Sequence, residues 1–179
     1  KISKFNNKSI VVKPANEGSS IGLSIIDNFH KDDKLKNNEL NLAIKKSLKV
    51  SDHYIIEEYI KGREVTVGVL GNSTLPVLEI VPHNSYYDYE CKYSKGKSKY
   101  IVPAEINNDL SQKIQNYALN IFKIIGCSNY ARIDFRLSEG NEIYLLEINT
   151  LPGFTNTSLY PKAAKSIGLS YSNLLERII

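Results

Sequence analysis

Residues 130–137 read YARIDFRL and residues 142–149 read EIYLLEIN, with Ser138-Glu139-Gly140-Asn141 between them. Both flanks alternate in polarity and are rich in β-branched and aromatic residues, the pattern of half-buried strands. Gly140-Asn141 suits a two-residue hairpin turn, because Gly accepts the positive φ that opens a type II′ turn. A turn centred there predicts a register with Asp134 opposite Glu147 and Arg132 opposite Asn149. Directly opposed residues share one face of an antiparallel pair, so these four side chains form a polar square. The other face then carries Ala131, Ile133, Phe135, Leu137, Tyr144, Leu146 and Ile148, a surface to be buried. A slip of one residue would send all four polar groups into the core, so the register is strongly specified.

Two carboxylates and an amide oxygen on one sheet face are an all-oxygen donor set. Hard cations such as Mg²⁺ take such sets, usually with nucleotide phosphates filling the remaining positions. The plainer alternative is a solvated face carrying an Arg–Asp pair.

Composition bounds the rest. A chain of 179 residues is one ordinary domain, or two small ones sharing a core. Its 42% hydrophobic and 23% charged residues are those of a globular protein with a substantial core. A net charge of +4 fits an anionic small ligand as well as nucleic acid. No apolar run approaches a membrane span, and no charged-then-apolar signal opens the chain. Cys91 and Cys127 form neither a metal spacing nor a disulfide framework, so a reducing cytoplasm is the expected setting. Methionine is absent, which leads us to expect a piece of a longer protein.

In chain order, residues 9–13 (SIVVK) read as a buried-type strand. They run into PANEGSSIG, a loop whose small residues let backbone amides approach phosphate oxygens beside the charge of Lys13. The Gly-Lys-Ser/Thr ending of a Walker loop is missing. Residues 38–50 predict an amphipathic helix with Leu40, Ile44 and Leu48 on its apolar stripe and Ala43 beside them. Residues 54–60, 64–70 and 75–81 read as strands separated by Lys61-Gly62-Arg63 and Gly71-Asn72. Glu57 should share a face with Ile55 and Tyr59. Residues 82–103 lack periodicity, and a loop this long is usually functional or disordered. Its interleaved Tyr and Lys residues also suit single-stranded nucleic acid, a competing reading. Residues 111–125 predict a second amphipathic helix with Ile114, Ala118, Ile121 and Ile125 buried, stopped by Gly126. After the hairpin, Pro152-Gly153 forces a turn, and short helices are expected over 162–167 and 172–179. No Ser-His-Asp or Cys-His arrangement is evident.

Taken together, VVKPANEGSSIGLS, IIEEYIKGREVTVGVLGN, YYDYECKY, VPAEI, ARIDF and EINTLPGFTNTSLYPKAA occur in one order. In that order they resemble the C-terminal two-thirds of a D-alanine–D-alanine ligase of the ATP-grasp superfamily. The resemblance covers nearly the whole chain. EINTLPGFTxxSLYPK and YDYECKY are specific to this family, whereas the opening strand with Lys-Pro is general to ATP-grasp enzymes.

The resemblance implies an α+β, ATP-grasp fold in which two lobes with mainly antiparallel sheets grip ATP between them. It divides the chain into a partial central subdomain, 1–64, and a C-terminal subdomain, 65–179, with the N-terminal domain absent. It implies a cytoplasmic ligase that makes D-alanyl-D-alanine for peptidoglycan, the cell wall and cell shape, through a D-alanyl phosphate. By resemblance, Lys13 and Lys92 contact ATP phosphates. Glu57 and the backbone near Ile60 meet the adenine, Tyr86 packs on it, and Glu64 holds the ribose. Asp134, Glu147 and Asn149 would carry two Mg²⁺ ions, which Mn²⁺ can replace. Arg132 and the Gly153 amide would face the oxyanion, and Ser158 and Leu159 would receive the second substrate's carboxylate. Ser19 and Tyr93 would close the loop over the site.

The partners so implied are D-alanine and ATP, with no nucleic acid or membrane, and the parent protein is expected to be a homodimer. YYDYECKY with Tyr93 favours D-alanine over D-lactate as second substrate. D-serine, or another acid–amine pair in an ATP-grasp ligase, stays open. A non-catalytic nucleotide-binding module is the alternative of another class. Without the missing segments the chain alone is expected to lack ligase activity.

Overall fold

The computed structural model describes residues 2–18, 20–82 and 98–179. They divide into two compact units, the first built on the residues up to Ile60 and the second on Lys61–Val81 and Lys99–Ile179.

In the first unit, β1 (Lys8–Pro14) lies between β2 (Ser24–Phe29) and β3 (Tyr54–Glu58), antiparallel to both. The alternation of β1 buries Ile10, Val12 and Pro14 and turns Val11 and Lys13 the other way. Helix α1 (Lys34–Ser47) covers the buried face, and Phe5, Ile10, Val12, Ile26, Phe29, Leu40 and Ala43 form the core. The Asp33 carboxylate accepts from the Leu35 and Lys36 amides and starts the helix four residues before the predicted position. Of the expected stripe, Leu40 and Ala43 are buried, but Leu48 caps the end and is 45% exposed.

Strand β2 was not expected from the sequence. The pairing shifts between Lys8↔Phe29 and Ile10↔Ile26, and Asn28 takes φ 49°. A bulge of this kind breaks the period-2 pattern that makes a strand legible.

The second unit is a sheet in the order β7-β6-β4-β8-β9, with the short β5 (Ser73–Thr74) also on β4. The strands are β4 (Gly62–Leu70), β6 (Leu78–Pro82), β7 (Ser98–Ile101), β8 (Tyr130–Ser138) and β9 (Ile143–Asn149). β7 falls inside the expected loop over 82–103. Gly62 lets β4 start where it does: a Cβ there would lie 1.9 Å from the Leu137 carbonyl oxygen, and its φ of 144° is open to little but glycine.

Helix α2 (Asn108–Ile125) packs on one face, starting at an Asn107 side chain that accepts from Leu110 N and ending at Gly126 with φ 77°. Its buried stripe is Ile114, Ala118 and Phe122, with Ile121 partly buried. Ile125 lies in line with Ala118 along the helix but is 60% exposed, because it is the last residue of α2 and the buried contact ends with Phe122. The core beneath holds Val65, Val67 and Val69 of β4 with Ala131, Ile133, Phe135 and Leu137 of β8. Helices α3 (Leu159–Ser166) and α4 (Tyr171–Glu176) end the chain, each displaced a few residues from the predicted span. Among the described residues no helix is long and apolar enough to cross a membrane.

The hairpin follows the predicted register at its functional end and departs from it at the turn. Arg132 pairs with Asn149, Ile133 with Ile148, and Asp134 with Glu147. Beyond Asp134 the pairing shifts, so that Phe135 meets Leu145 and Leu137 meets Ile143. The loop is three residues long, closed by Asn141 N donating to Ser138 O at 2.9 Å, and Asn141 rather than Gly140 takes the positive φ, 63°. A left-handed third residue is the other common way to close a hairpin, and Asn tolerates it. The bulge re-aims the strand: Tyr144 and Leu146, expected in the core, are 37% and 42% exposed, while Ile143 and Ile148 pack inward.

Candidate active site

The face of the second sheet opposite α2 is polar along its middle strands. On β4 it carries Glu64, Thr66 and Gly68; directly opposite on β8 stand Arg136, Asp134 and Arg132. Glu147 and Asn149 of β9 extend the row. Alternation on a sheet with one buried face yields this arrangement, because Val65, Val67, Ile133 and Phe135 fill the core on the other side.

Asp134 is the centre of the row and is only 7% exposed. Its Oδ1 accepts from Thr66 Oγ1 at 2.6 Å and Arg132 Nε at 2.8 Å. Its Oδ2 accepts from Arg132 Nη2 at 2.7 Å and Asn149 Nδ2 at 3.2 Å. The same Asn149 nitrogen donates to Glu147 Oε1 at 3.0 Å. One small donor thus reaches an oxygen of each carboxylate, so the two carboxylates converge. Beside this cluster, Arg136 Nη1 donates to Glu64 Oε2 at 3.3 Å. Thr66 and Arg136 were not singled out from the sequence. Their signal is positional: both fall on the same strand faces as Glu64 and Asp134.

The turn after β9 folds tightly. The Thr155 amide donates to Ser158 Oγ at 3.0 Å, and the Ser158 amide donates to Thr155 O at 2.9 Å. A Cβ on Gly153 would come within 3.1 Å of Ser158 Oγ. With its hydroxyl committed to this loop, Ser158 does not cap α3 through its side chain. The first amides of α3, beginning at Leu159, therefore end the loop as an anion-favouring helix start. Lys162 donates to the Thr157 carbonyl and lies 4.7 Å from the centre of the Tyr100 ring. Burial lowers its ammonium below the ordinary lysine value. Tyr160 packs over Gly68, where a Cβ would meet its ring at 2.8 Å, and its hydroxyl donates to Val69 O at 2.7 Å.

In the first unit, Lys13 Nζ and Glu57 Oε2 pair at 2.6 Å. Lys13 and Glu57 share the outward face of the β1–β3 ladder with Ile55, as the alternation predicted. Ile60 follows β3 directly after Tyr59, whose amide donates to Ser9 O at 2.8 Å.

The structure thus brings Arg132, Asp134, Glu147 and Asn149 into one cluster and sets Glu64 on the same face. It brings Gly153 against Ser158, which precedes Leu159, and it joins Lys13 to Glu57. Ser19, Tyr86, Lys92 and Tyr93 lie outside the described residues, as does most of the Tyr/Lys stretch behind the nucleic-acid alternative. Among the described residues no group of three or more His, Cys, Asp or Glu side chains is gathered as a metal cage; the cluster offers two carboxylates and an amide.

The two antiparallel α+β units, and the solved ligases on which the chain superposes, put the fold in the ATP-grasp class. A family profile described as "D-ala D-ala ligase C-terminus" matches residues 2–179, and the chain belongs to that family. It is 45% identical over 174 residues to a D-alanine–D-alanine ligase of Carboxydothermus hydrogenoformans, covering 95% of this chain and 53% of the relative. It is 42% identical over 177 residues to that of Aquifex aeolicus, covering 99% of this chain and 57% of the relative. Among solved structures, the VanG D-Ala:D-Ser ligase from Enterococcus faecalis superposes with a TM-score of 0.83 at 34% identity, covering 99% of this chain and 50% of that one. The D-alanine–D-alanine ligase from Bacillus anthracis complexed with ATP gives 0.74 at 32%, covering 95% and 50%. The chain therefore spans about half the length of the relatives it matches.

Proposed function

We propose that the protein to which this chain belongs is an ATP-dependent ligase joining two D-alanines through a D-alanyl phosphate, in peptidoglycan synthesis. The observation that carries the reading is the register of β8 against β9, which sets Asp134 opposite Glu147 and Arg132 opposite Asn149 in a chain that the family profile matches almost end to end. The ATP-bound ligase and the D-alanine ligases among its relatives support the nucleotide and the substrate.

The donor set fits a divalent cation. Asp134 and Glu147 supply carboxylate oxygens that already converge on one small partner, and Asn149 would present its amide oxygen after a half-turn of its side chain. Two Mg²⁺ ions, or Mn²⁺ in their place, would neutralise phosphate charge here when bound. The chain's own residues do the rest. The first D-alanine carboxylate attacks the γ-phosphorus of ATP, breaking its bond to the β-bridging oxygen and giving the acyl phosphate and ADP. By the family resemblance, Lys13 and Lys92 would contact phosphate oxygens, Glu57, the Ile60 backbone and Tyr86 the adenine, and Glu64, which Arg136 holds, the ribose.

The second D-alanine enters with its carboxylate at Ser158 and Leu159, where the start of α3 favours an anion. Its amine attacks the acyl carbon, and Arg132 with the Gly153 amide stabilises the oxyanion until phosphate leaves. By the family resemblance, Ser19 and Tyr93 would close over the site, which would protect the acyl phosphate from water. On this reading the first unit is part of the ATP-grasp central subdomain and the second unit is the C-terminal one. A cytoplasmic setting and a homodimeric parent follow from the same reading.

The test is D-alanine-dependent phosphate release from ATP by the protein in its full natural length, with the dipeptide identified. Release that needs D-alanine, yields D-alanyl-D-alanine and is lost in Asp134→Ala supports the reading. Release equally fast with D-serine as acceptor would move it to the D-Ala:D-Ser activity that the VanG ligase carries by name. ATP binding without any turnover would leave a nucleotide-binding module.

A further inference from the structure

We propose that Thr66 is a positioning residue that holds Asp134 for its cation, an inference that rests on reading Asp134, Glu147 and Asn149 as the metal site. Thr66 is 2% exposed and stands directly opposite Asp134 across the β4–β8 ladder. Its neighbours along the strand are Val65 and Val67, both fully buried. Valine has nearly the shape of threonine, so packing alone gives no reason for a hydroxyl here. A buried hydroxyl costs free energy unless it donates.

Thr66 Oγ1 has one proton and two acceptors in reach, Asp134 Oδ1 at 2.6 Å and Ile133 O at 3.2 Å. The shorter contact to a charged oxygen is the stronger. Asp134's other partners, Arg132 and Asn149, are themselves members of the proposed reacting cluster. Arg132 must turn to the oxyanion and Asn149 must turn its oxygen inward during the reaction. Thr66 is the donor that has no such second task. It pins Oδ1 to the sheet and fixes the carboxylate plane, leaving Oδ2 on the side of Asn149, which also donates to Glu147. Donors behind a metal-binding carboxylate typically set affinity by 10- to 100-fold.

The experiment is Mn²⁺ binding to this chain by electron paramagnetic resonance, with Thr66→Val, Thr66→Ser, Asp134→Asn and the unaltered protein. The expected result is Asp134-dependent Mn²⁺ binding that weakens by about 10-fold or more in Thr66→Val and recovers to within about 3-fold in Thr66→Ser. The metal-free thermal midpoint of Thr66→Val should stay within a few degrees of the unaltered protein, which separates positioning from a purely structural role. Unchanged Mn²⁺ affinity in Thr66→Val, with binding lost in Asp134→Asn, overturns the role of Thr66 and leaves the metal site standing. No Asp134-dependent binding in the unaltered protein overturns the metal reading and this inference with it. Should Thr66→Val fail to fold, Thr66→Ala removes the same hydroxyl and is judged against Thr66→Ser by the same two results.

Discussion

Arg132 closes on Asp134 with two parallel hydrogen bonds, Nε to Oδ1 at 2.8 Å and Nη2 to Oδ2 at 2.7 Å, from two residues away on the same face of β8. A bidentate arginine is a strong partner for a carboxylate this far from water. It also occupies the oxygens that the proposed cation would use. On the proposed reading, Arg132 is the counter-ion of Asp134 when no cation is bound and would be released toward the reacting carbonyl when one arrives. Arg132→Ala should lower stability by roughly 1–3 kcal/mol, the cost of leaving a mostly buried carboxylate short of donors. Added Mg²⁺ should narrow that deficit in urea unfolding, while turnover by the full-length protein falls by about 10²–10³. A deficit that Mg²⁺ leaves unchanged would separate Arg132 from the metal site.

Glu64 is tied to Arg136 directly across the sheet at 3.3 Å. If its carboxylate accepts ribose hydroxyls, Glu64→Ala should weaken ATP binding by roughly 10-fold, as loss of hydrogen bonds to a charged group does. Binding of 2′,3′-dideoxy-ATP should change little. Calorimetric titration of the two nucleotides makes the comparison, and an equal loss for both would contradict the assignment.

Tyr160 carries a buried hydroxyl that donates to Val69 O, and burial pushes its phenol above the ordinary tyrosine value. The unfolded chain loses this proton near pH ~10, whereas the folded chain keeps it to higher pH. The stabilising contribution of the group is thus complete below pH ~10 and is lost as pH rises toward the raised value. Tyr160→Phe should cost about 1 kcal/mol at neutral pH, the usual worth of a buried hydrogen bond. Its unfolding free energy should fall less steeply than that of the unaltered protein above pH ~10. Parallel pH profiles would contradict the account.

Arg63 grips Glu79 with Nε to Oε1 and Nη2 to Oε2, both at 2.6 Å, and reaches Glu105 O at 3.1 Å. Glu79 is 6% exposed, and its hydrogen bond raises the already high arginine pKa. Removing the arginine strands a buried carboxylate, so Arg63→Ala should destabilise by roughly 2–4 kcal/mol. Arg63→Ala combined with Glu79→Gln should recover part of that loss. Denaturant unfolding of the two single variants and the pair measures the coupling.

The parts of the fold that the sequence displayed are those where period and side-chain direction agree. The Ile133–Phe135 alternation and the polar positions between them placed Asp134 against Glu147, because a one-residue error there would bury charge. Leu146 shows where this stops. An extra residue in β9 inverted the faces toward the turn, and nothing in a single sequence distinguishes LL in a regular strand from LL at a bulge. β2 was hidden by the same device at Asn28. Thr66 and Arg136 escaped notice because their roles depend on the neighbouring strand of a long-range pair, Thr66 with Asp134 and Glu64 with Arg136. Strand order cannot be read from either segment alone. The roles proposed for Glu57 and Ser158 came from family resemblance, that of Lys13 also from the loop it precedes, whereas the geometry of the loop around Gly153 came only with the fold.

The central claim is that the β8–β9 hairpin holds the cation that brings ATP to this chain. A thermal-shift titration with ATP and Mg²⁺, set beside Asp134→Ala, tests it most directly. A ligand that binds only the folded state raises the midpoint in proportion to ln(1 + [L]/Kd). The account predicts a shift with ATP and Mg²⁺ together that exceeds the shift with either alone and disappears in Asp134→Ala. A shift of equal size in Asp134→Ala would contradict it.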